Sequence, residues 1–208
     1  KKKLKENLKS DALKIYEDIL QRFPRNQNAI KGIKELKGDH FGQNLLIKDP
    51  KNELTQIVVN FYNSGNFKEA LKKSLILLKD FPKSVILLNI AGACYKALKN
   101  LDKAEATFKE ALKLKPDAAA VYNNLGTVLL EKEQFEDSLN CFFKAISFKP
   151  NYSAAFLNIG NVYQKQGKTN QAIDYCRKAL SINPDYADAY YNLGNFLRDK
   201  GEKENAFL

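Results

Sequence analysis

The 208-residue sequence has no tryptophan, no methionine and a single histidine, and it has only ten glycines and six prolines. Few helix breakers among abundant Leu, Ala, Lys and Glu favour helix throughout and argue against sheet. One histidine, His40, without any Cys-x-x-Cys pair argues against a zinc site. Because no apolar run is long enough for a signal peptide or a membrane span, we expect a cytoplasmic chain without a membrane partner.

The chemistry of a catalytic site is also missing. Serines and cysteines have no base near them in sequence, and no glycine-rich phosphate loop follows a strand. The three cysteines are far apart within apolar helical patterns, as expected of reduced, buried thiols: Cys94, Cys141 and Cys176. We therefore predict no enzyme, no catalytic residue, no metal and no cofactor within these residues.

The net charge of +10 is confined to the first half of the chain. Residues 1–50 and 51–118 each carry 12 Lys and Arg against 7 Asp and Glu, whereas residues 119–208 carry ten of each sign. A basic surface permits nucleic-acid binding, because phosphate contacts increase with the number of cations. The lysines alternate with glutamates as on an ordinary solvated helix face, so nucleic acid is the lesser alternative for the partner.

Four prolines spaced by 34 residues show that the chain is repetitive: Pro82, Pro116, Pro150 and Pro184. A fixed period of this length indicates stacked supersecondary units. When each proline is position 32, the units begin at Lys51, Val85, Ala119, Ser153 and Ala187, and the last unit is incomplete.

Each unit carries two amphipathic helical patterns. Large apolar residues recur at positions 4, 11 and 24, and small residues at 8, 20 and 27, where two helices can approach closely. Glycine at position 15, as in Gly65, Gly167 and Gly201, is expected to end the first helix in the left-handed conformation. By this register Tyr163 and Tyr190 should lie in the core.

This register resembles the tetratricopeptide repeat family, and the resemblance covers residues 51–208. It implies an all-α fold, a right-handed superhelical solenoid of antiparallel helix pairs. The second-helix pattern also appears upstream, in "DALKIYEDILQRFPRN". We therefore expect partial, degenerate repeat-like helices over residues 1–37, a linker over 38–51, and an array of four full repeats plus a truncated fifth over 52–208.

A polar residue recurs at position 6, away from the packing stripe: Asn124, Asn158 and Asn192. The resemblance implies that first helices line a concave wall, where position 6 is joined by position 9 (Asn161 and Asn195) and by Gln56. The pattern is similar to the asparagine ladder in the repeat tracts of O-linked N-acetylglucosamine transferases. Amides can pair with peptide C=O and N–H groups. We therefore predict a scaffold that binds an extended peptide or partner protein, with Tyr62 and Tyr191 flanking the groove.

Three alternatives remain open on the sequence. The asparagines could be structural amides that bond adjacent helices, with no ligand. The chain, which starts without Met and stops within a helical pattern, could be the substrate-presenting or assembly arm of a larger enzyme of glycosyl- or sulfotransferase type. The incomplete last repeat could also self-associate.

Overall fold

The computed structural model describes residues 2–22, 27–37, 49–50 and 52–201. Within these ranges every regular element is an α-helix and no strand occurs, as the composition predicts. The helices are α1 Lys2–Arg22, α2 Gln27–Lys37, α3 Asn52–Asn63, α4 Phe67–Asp80, α5 Val85–Ala97, α6 Leu101–Leu114, α7 Ala119–Glu131, α8 Phe135–Phe148, α9 Ser153–Lys165, α10 Thr169–Ile182 and α11 Ala187–Asp199.

The helix boundaries follow the 34-residue period of the sequence. From α5 onward, each first helix has 13 residues and starts at the first residue of its unit. The second helices α4, α6, α8 and α10 have 14 residues each and end two residues before the repeated proline. The predicted all-α fold of helix pairs is confirmed.

The chain divides into two compact units, Lys1–Cys94 and Tyr95–Leu208. In the first unit, α1 packs on α2 around Leu20, Ala29 and Ile33, and α3 packs on α4 around Val58 and Ala70. Most of the linker expected over residues 38–51 lies outside the described residues. The proposed division into partial repeats, linker and array stays a prediction.

Close helix approach in the second unit depends on small residues at the positions that the sequence indicated. Ala104, Ala172 and Ser138, all at position 20, are fully buried. A Cβ added at Gly160 would lie 3.0 Å from the backbone oxygen of Ala172. Ser138 donates a hydrogen bond of 2.8 Å to the Gly126 carbonyl oxygen. The core is therefore built from backbone-to-backbone contact supplemented by large side chains.

The turn after each first helix places position 15 in the left-handed region. Gly65, Gly167 and Gly201 have φ of +77°, +74° and +85°, which confirms the prediction for these glycines. Two units make the same turn without glycine, with φ of +61° at Lys99 and +60° at Glu133. The unit geometry therefore imposes this conformation even where the residue type disfavours it.

Candidate functional site

Asparagine side chains join the first helices of successive repeats in the second unit. The Asn158 Nδ2 on α9 donates to the Asn123 Oδ1 on α7 at 2.9 Å. The Asn192 Nδ2 on α11 donates to the Asn161 Oδ1 on α9, also at 2.9 Å. Asn158 and Asn192, both at position 6, thus donate to an amide of the preceding first helix, and together the two pairs connect three helices.

Other polar contacts extend this first-helix surface. The Gln164 Nε2 on α9 donates to the Asp199 Oδ2 on α11 at 2.8 Å. The Lys99 ammonium lies 2.9 Å from the Glu131 Oε2. Neighbouring first helices are therefore connected by amides and charges along their length, at spacings of 31 to 35 residues in sequence.

The predicted site residues of this unit differ in how they are held. Asn124, Asn158, Asn161, Asn192 and Asn195 are all half-buried. The backbone carbonyl oxygen of Asn124 accepts a hydrogen bond from the Thr127 hydroxyl at 2.7 Å. Within the described ranges, the Asn195 side chain makes no hydrogen bond. The surface therefore offers both mutually bonded amides and one amide that holds no other side chain.

Two further predicted residues lie in the other unit, Lys1–Cys94. Gln56 is exposed, and its Nε2 donates to the Asn60 Oδ1 one turn later at 2.9 Å. Tyr62 is half-buried, packs against Val58, Ala70 and Cys94, and meets the Phe67 ring edge-on at 5.3 Å between centroids. Burial, with a smaller contribution from Cys94, raises the pKa of the Tyr62 hydroxyl. The Tyr62 ring therefore takes part in core packing.

The two tyrosines near the start of α11 are open to solvent. Tyr191 is 73% exposed, and it is available to a ligand. Tyr190, expected in the core at position 4, is 56% exposed, so that expectation was wrong. At the same position, Tyr122 is covered by Phe148 and Phe156 by Tyr175, both from second helices. The rest of this last unit, beyond residue 201, lies outside the described residues.

Asn123 is the participant that sequence reasoning missed. It stands at position 5, which the sequence pattern did not single out. It is buried, and its amide accepts the hydrogen bond from Asn158. The signal was present in the sequence, since amides 35 residues apart lie one unit and one residue apart in a 34-residue repeat.

The described residues show no feature of metal chemistry or of a reactive thiol. They contain no cluster of three His, Cys, Asp or Glu that could hold a metal ion. Burial raises the pKa to about 11 for all three thiols, Cys94, Cys141 and Cys176. Along the same ranges, no helix has the length and apolar character needed to cross a bilayer.

Profiles of the repeat match most of the second half of the chain. Two tetratricopeptide repeat profiles match residues 153–186 and 175–207, and a TPR repeat profile matches residues 92–133 and 126–167. Together these matches cover residues 92–207, which is more than half of the sequence. The chain belongs to the tetratricopeptide repeat family.

One curated relative is an enzyme. Over 92 residues, 44% of this chain, the sequence is 34% identical to the UDP-N-acetylglucosamine–peptide N-acetylglucosaminyltransferase of Caenorhabditis elegans. The matched stretch spans only 8% of the length of that enzyme. The likeness therefore concerns a small part of the relative.

Solved structures with the same fold cover about three quarters of the chain. The type IV pilus biogenesis factor PilW is 28% identical, with a TM-score of 0.69 over 75% of this chain and 74% of that one. A thermophilic TPR protein of Thermus thermophilus is 20% identical, with a TM-score of 0.69 over 74% and 84% of the two chains. At this identity the second likeness shows the fold alone. Family and fold together make this chain a protein-interaction scaffold, in a fold that is typically non-catalytic.

Proposed function

We propose that the first helices of the second unit bind the backbone of an extended peptide through their asparagine side chains. The observation that carries this proposal is the pairing of Asn158 with Asn123 and of Asn192 with Asn161. Each bond uses one N–H of the donor and the oxygen of the acceptor. The other side-chain atoms of this pair, Asn158 Oδ1 and Asn123 Nδ2, then remain for a ligand.

One acceptor beside one donor is what a peptide bond requires. An extended chain presents a C=O and an N–H at every residue and rises about 3.3 Å per residue. Packed helices lie about 8 to 10 Å apart, so successive amide pairs match about every third residue of the ligand. Such contacts tolerate many side-chain sequences, which suits a scaffold. Tyr191, exposed on α11, supplies an apolar contact beside the amides.

The test uses a peptide selected from a random phage-displayed library and then made with a fluorescent label. Its affinity is measured by fluorescence polarisation for the parent and for the triple variant Asn124→Ala, Asn158→Ala and Asn192→Ala. The matched control changes Asn140 and Asn170, which are exposed on second helices, to Ala. We expect a large loss of affinity for the first variant and none for the control.

Asn195→Ala separates binding from folding, because this side chain makes no hydrogen bond among the described residues. Loss of one hydrogen bond costs about 0.5–1.5 kcal/mol, which raises the Kd about two- to tenfold. The melting temperature should stay unchanged. N-methylation of single peptide bonds in the ligand should weaken binding, with side-chain replacements tolerated. If N-methylation has no effect anywhere, backbone recognition is wrong.

A second candidate is that the array is the substrate-presenting arm of a larger enzyme, and the likeness to a peptide-modifying glycosyltransferase favours it. Both proposals use the same groove, since an arm of this kind would hold the peptide to be modified. The deciding measurement is the sequence of the gene downstream of the codon for Leu208. A glycosyl- or sulfotransferase domain there supports the arm, and a stop codon or an unrelated domain contradicts it.

A further inference from the structure

Two phenylalanines lie on the solvent side of α8. Phe143 and Phe148 are 43% and 49% exposed. Phe143 occupies position 25, where the neighbouring repeats have Lys109 and Arg177, both exposed. Position 25 is therefore charged and exposed in the preceding and the following repeat, whereas the middle repeat has an exposed phenyl ring there. Packing of the array does not require this ring.

The two rings belong to two groups of aromatic and lysine side chains, one toward α7 and one toward α10. Tyr122 stacks on Phe148 at 5.8 Å between ring centroids, and the Lys144 Nζ lies 5.5 Å from the Tyr122 centroid. On the other side, Phe143 meets Tyr175 edge-on at 6.4 Å. The Lys178 Nζ lies 4.6 Å from the Tyr175 centroid, and the two groups are together named here the lysine–aromatic face.

The lysines of this face contact aromatic rings rather than carboxylates among the described residues. Among the described residues, Lys144 and Lys178 make no ion pair. Asp174 lies one turn before Lys178 on α10, and the two side chains do not form a salt bridge either. Each ammonium group instead rests over a ring, which holds it beside the exposed apolar surface. The face thus combines apolar area with unneutralised positive charge.

We propose that the lysine–aromatic face docks an acidic segment of a partner protein, in which Asp or Glu residues flank an aromatic or aliphatic side chain. The carboxylates would meet Lys144 and Lys178, and the apolar side chain would cover Phe143. Charge complementarity sets this choice. A second copy of the chain would bring lysines against lysines and is disfavoured.

A single-stranded nucleic acid fits the face less well. Bases bind such surfaces by stacking on free aromatic faces. Here the Tyr122 ring is stacked on Phe148 with Lys144 beside it, and the Tyr175 ring is close to Lys178. The exposed area belongs to phenyl side chains that offer no hydrogen bond, which suits burial by an apolar side chain.

The face is independent of the amide groove. It lies mainly on the second helices α8 and α10, and none of its residues is among those proposed to bind the peptide backbone. A ligand could occupy one surface while the other stays empty. Failure of either proposal therefore leaves the other intact.

The test titrates the protein with two fluorescein-labelled peptides of the same length. One is Glu-Glu-Phe-Glu-Leu-Glu-Glu, and the other is its analogue with Lys in place of every Glu. We expect the acidic peptide to bind with affinity that falls as salt is raised, and the basic peptide not to bind. Phe143→Gln, which removes the apolar contact without adding a charge, and the double variant Lys144→Glu, Lys178→Glu should each weaken binding at least tenfold. Lys113→Glu, an exposed lysine on α6, is the control and should change binding less than twofold.

Circular dichroism checks that the variants are folded, and the charge-reversal variant keeps the test valid if Phe143→Gln is unstable. Equal binding of both peptides, or no binding of the acidic one at low salt, overturns the proposal. It is equally overturned if an oligothymidylate displaces the acidic peptide. Sedimentation that shows a concentration-dependent dimer abolished by Phe143→Gln would assign the face to self-association instead.

Discussion

Replacement of Glu133 by glycine should stabilise the protein. Glu133 has φ of +60° at position 15, whereas the next repeat has Gly167 at +74° in the same place. A side chain with a Cβ pays a conformational penalty in the left-handed region, and glycine does not. The Glu133 side chain is exposed, and no hydrogen bond or ion pair of it occurs among the described residues. Removing the side chain therefore costs the folded state no contact.

The magnitude follows from two opposing terms. The left-handed conformation costs an L-residue about 1–2 kcal/mol. Glycine also gives the unfolded chain more freedom, which offsets about 0.4–1 kcal/mol of that gain. The two ranges leave a net stabilisation of about 0–1.6 kcal/mol, and the central value of about 0.8 kcal/mol corresponds to a rise in Tm of about 2–3 °C for a domain of this size.

Urea unfolding followed by circular dichroism at 222 nm measures the change in the free energy of unfolding. Glu133→Ala is the control, because it removes the same charge and keeps the Cβ, and its stability should equal that of the parent. Gly167→Ala should lose about 0.5–1 kcal/mol. A Cβ there meets nothing within 4 Å, so only the backbone conformation is tested. If Glu133→Gly is no more stable than Glu133→Ala, the argument from backbone strain fails.

Three further predictions concern side chains. Burial raises the pKa of three thiols to about 11: Cys94, Cys141 and Cys176. The free energy of unfolding should therefore fall as pH rises from about 8.5 toward 11, because the thiols of the unfolded chain lose their protons first. Replacing all three cysteines by Ala should make the measured fall between about pH 8 and 9.5 less steep. Hydrogen bonds from Lys109 and Lys132 lower the pKa of Glu105 in the folded state. The ionised Glu105 therefore stabilises the fold above about pH 4.3, and this stabilisation is lost as pH falls through the folded-state pKa. The free energy of unfolding of Glu105→Gln should depend less steeply on pH in acid than that of the parent. A double-mutant cycle of Asn123→Ala and Asn158→Ala in urea should give a coupling of about 0.5–1.5 kcal/mol, and additive effects would contradict the hydrogen bond.

The periodic features were predictable because they depend on local chemistry repeated at one spacing. Small residues at position 20 recur every 34 residues, glycine occupies position 15 in three of the five units, and the helices begin and end where this register puts them. Glu133 shows the complementary case. Its own residue type does not favour a left-handed turn and none was predicted there, yet Glu133 adopts the same conformation as the glycines at position 15.

Features that depend on the packing of one helix against another were harder to predict from the sequence. The bond between Asn158 and Asn123 joins position 6 to position 5, whereas that between Asn192 and Asn161 joins position 6 to position 9. The hydrogen-bond partner of an amide depends on side-chain rotamers and on the local offset of two helices. The 34-residue period determines neither. Tyr190 illustrates the same limit, because its burial requires a covering helix and not only the correct register.

The structural and the ligand-binding interpretations of the asparagines are compatible, because one amide can serve both. Asn158 uses an N–H toward Asn123 and keeps its carbonyl oxygen, so the hydrogen bond that joins two repeats also orients the acceptor that a peptide would meet. Under the proposed function we expect loss of Asn158 to lower stability and affinity together, so neither effect alone would identify its role. Asn195, which holds no neighbouring side chain in the described ranges, is where the roles separate. A loss of peptide affinity there, at unchanged stability, can come only from the ligand.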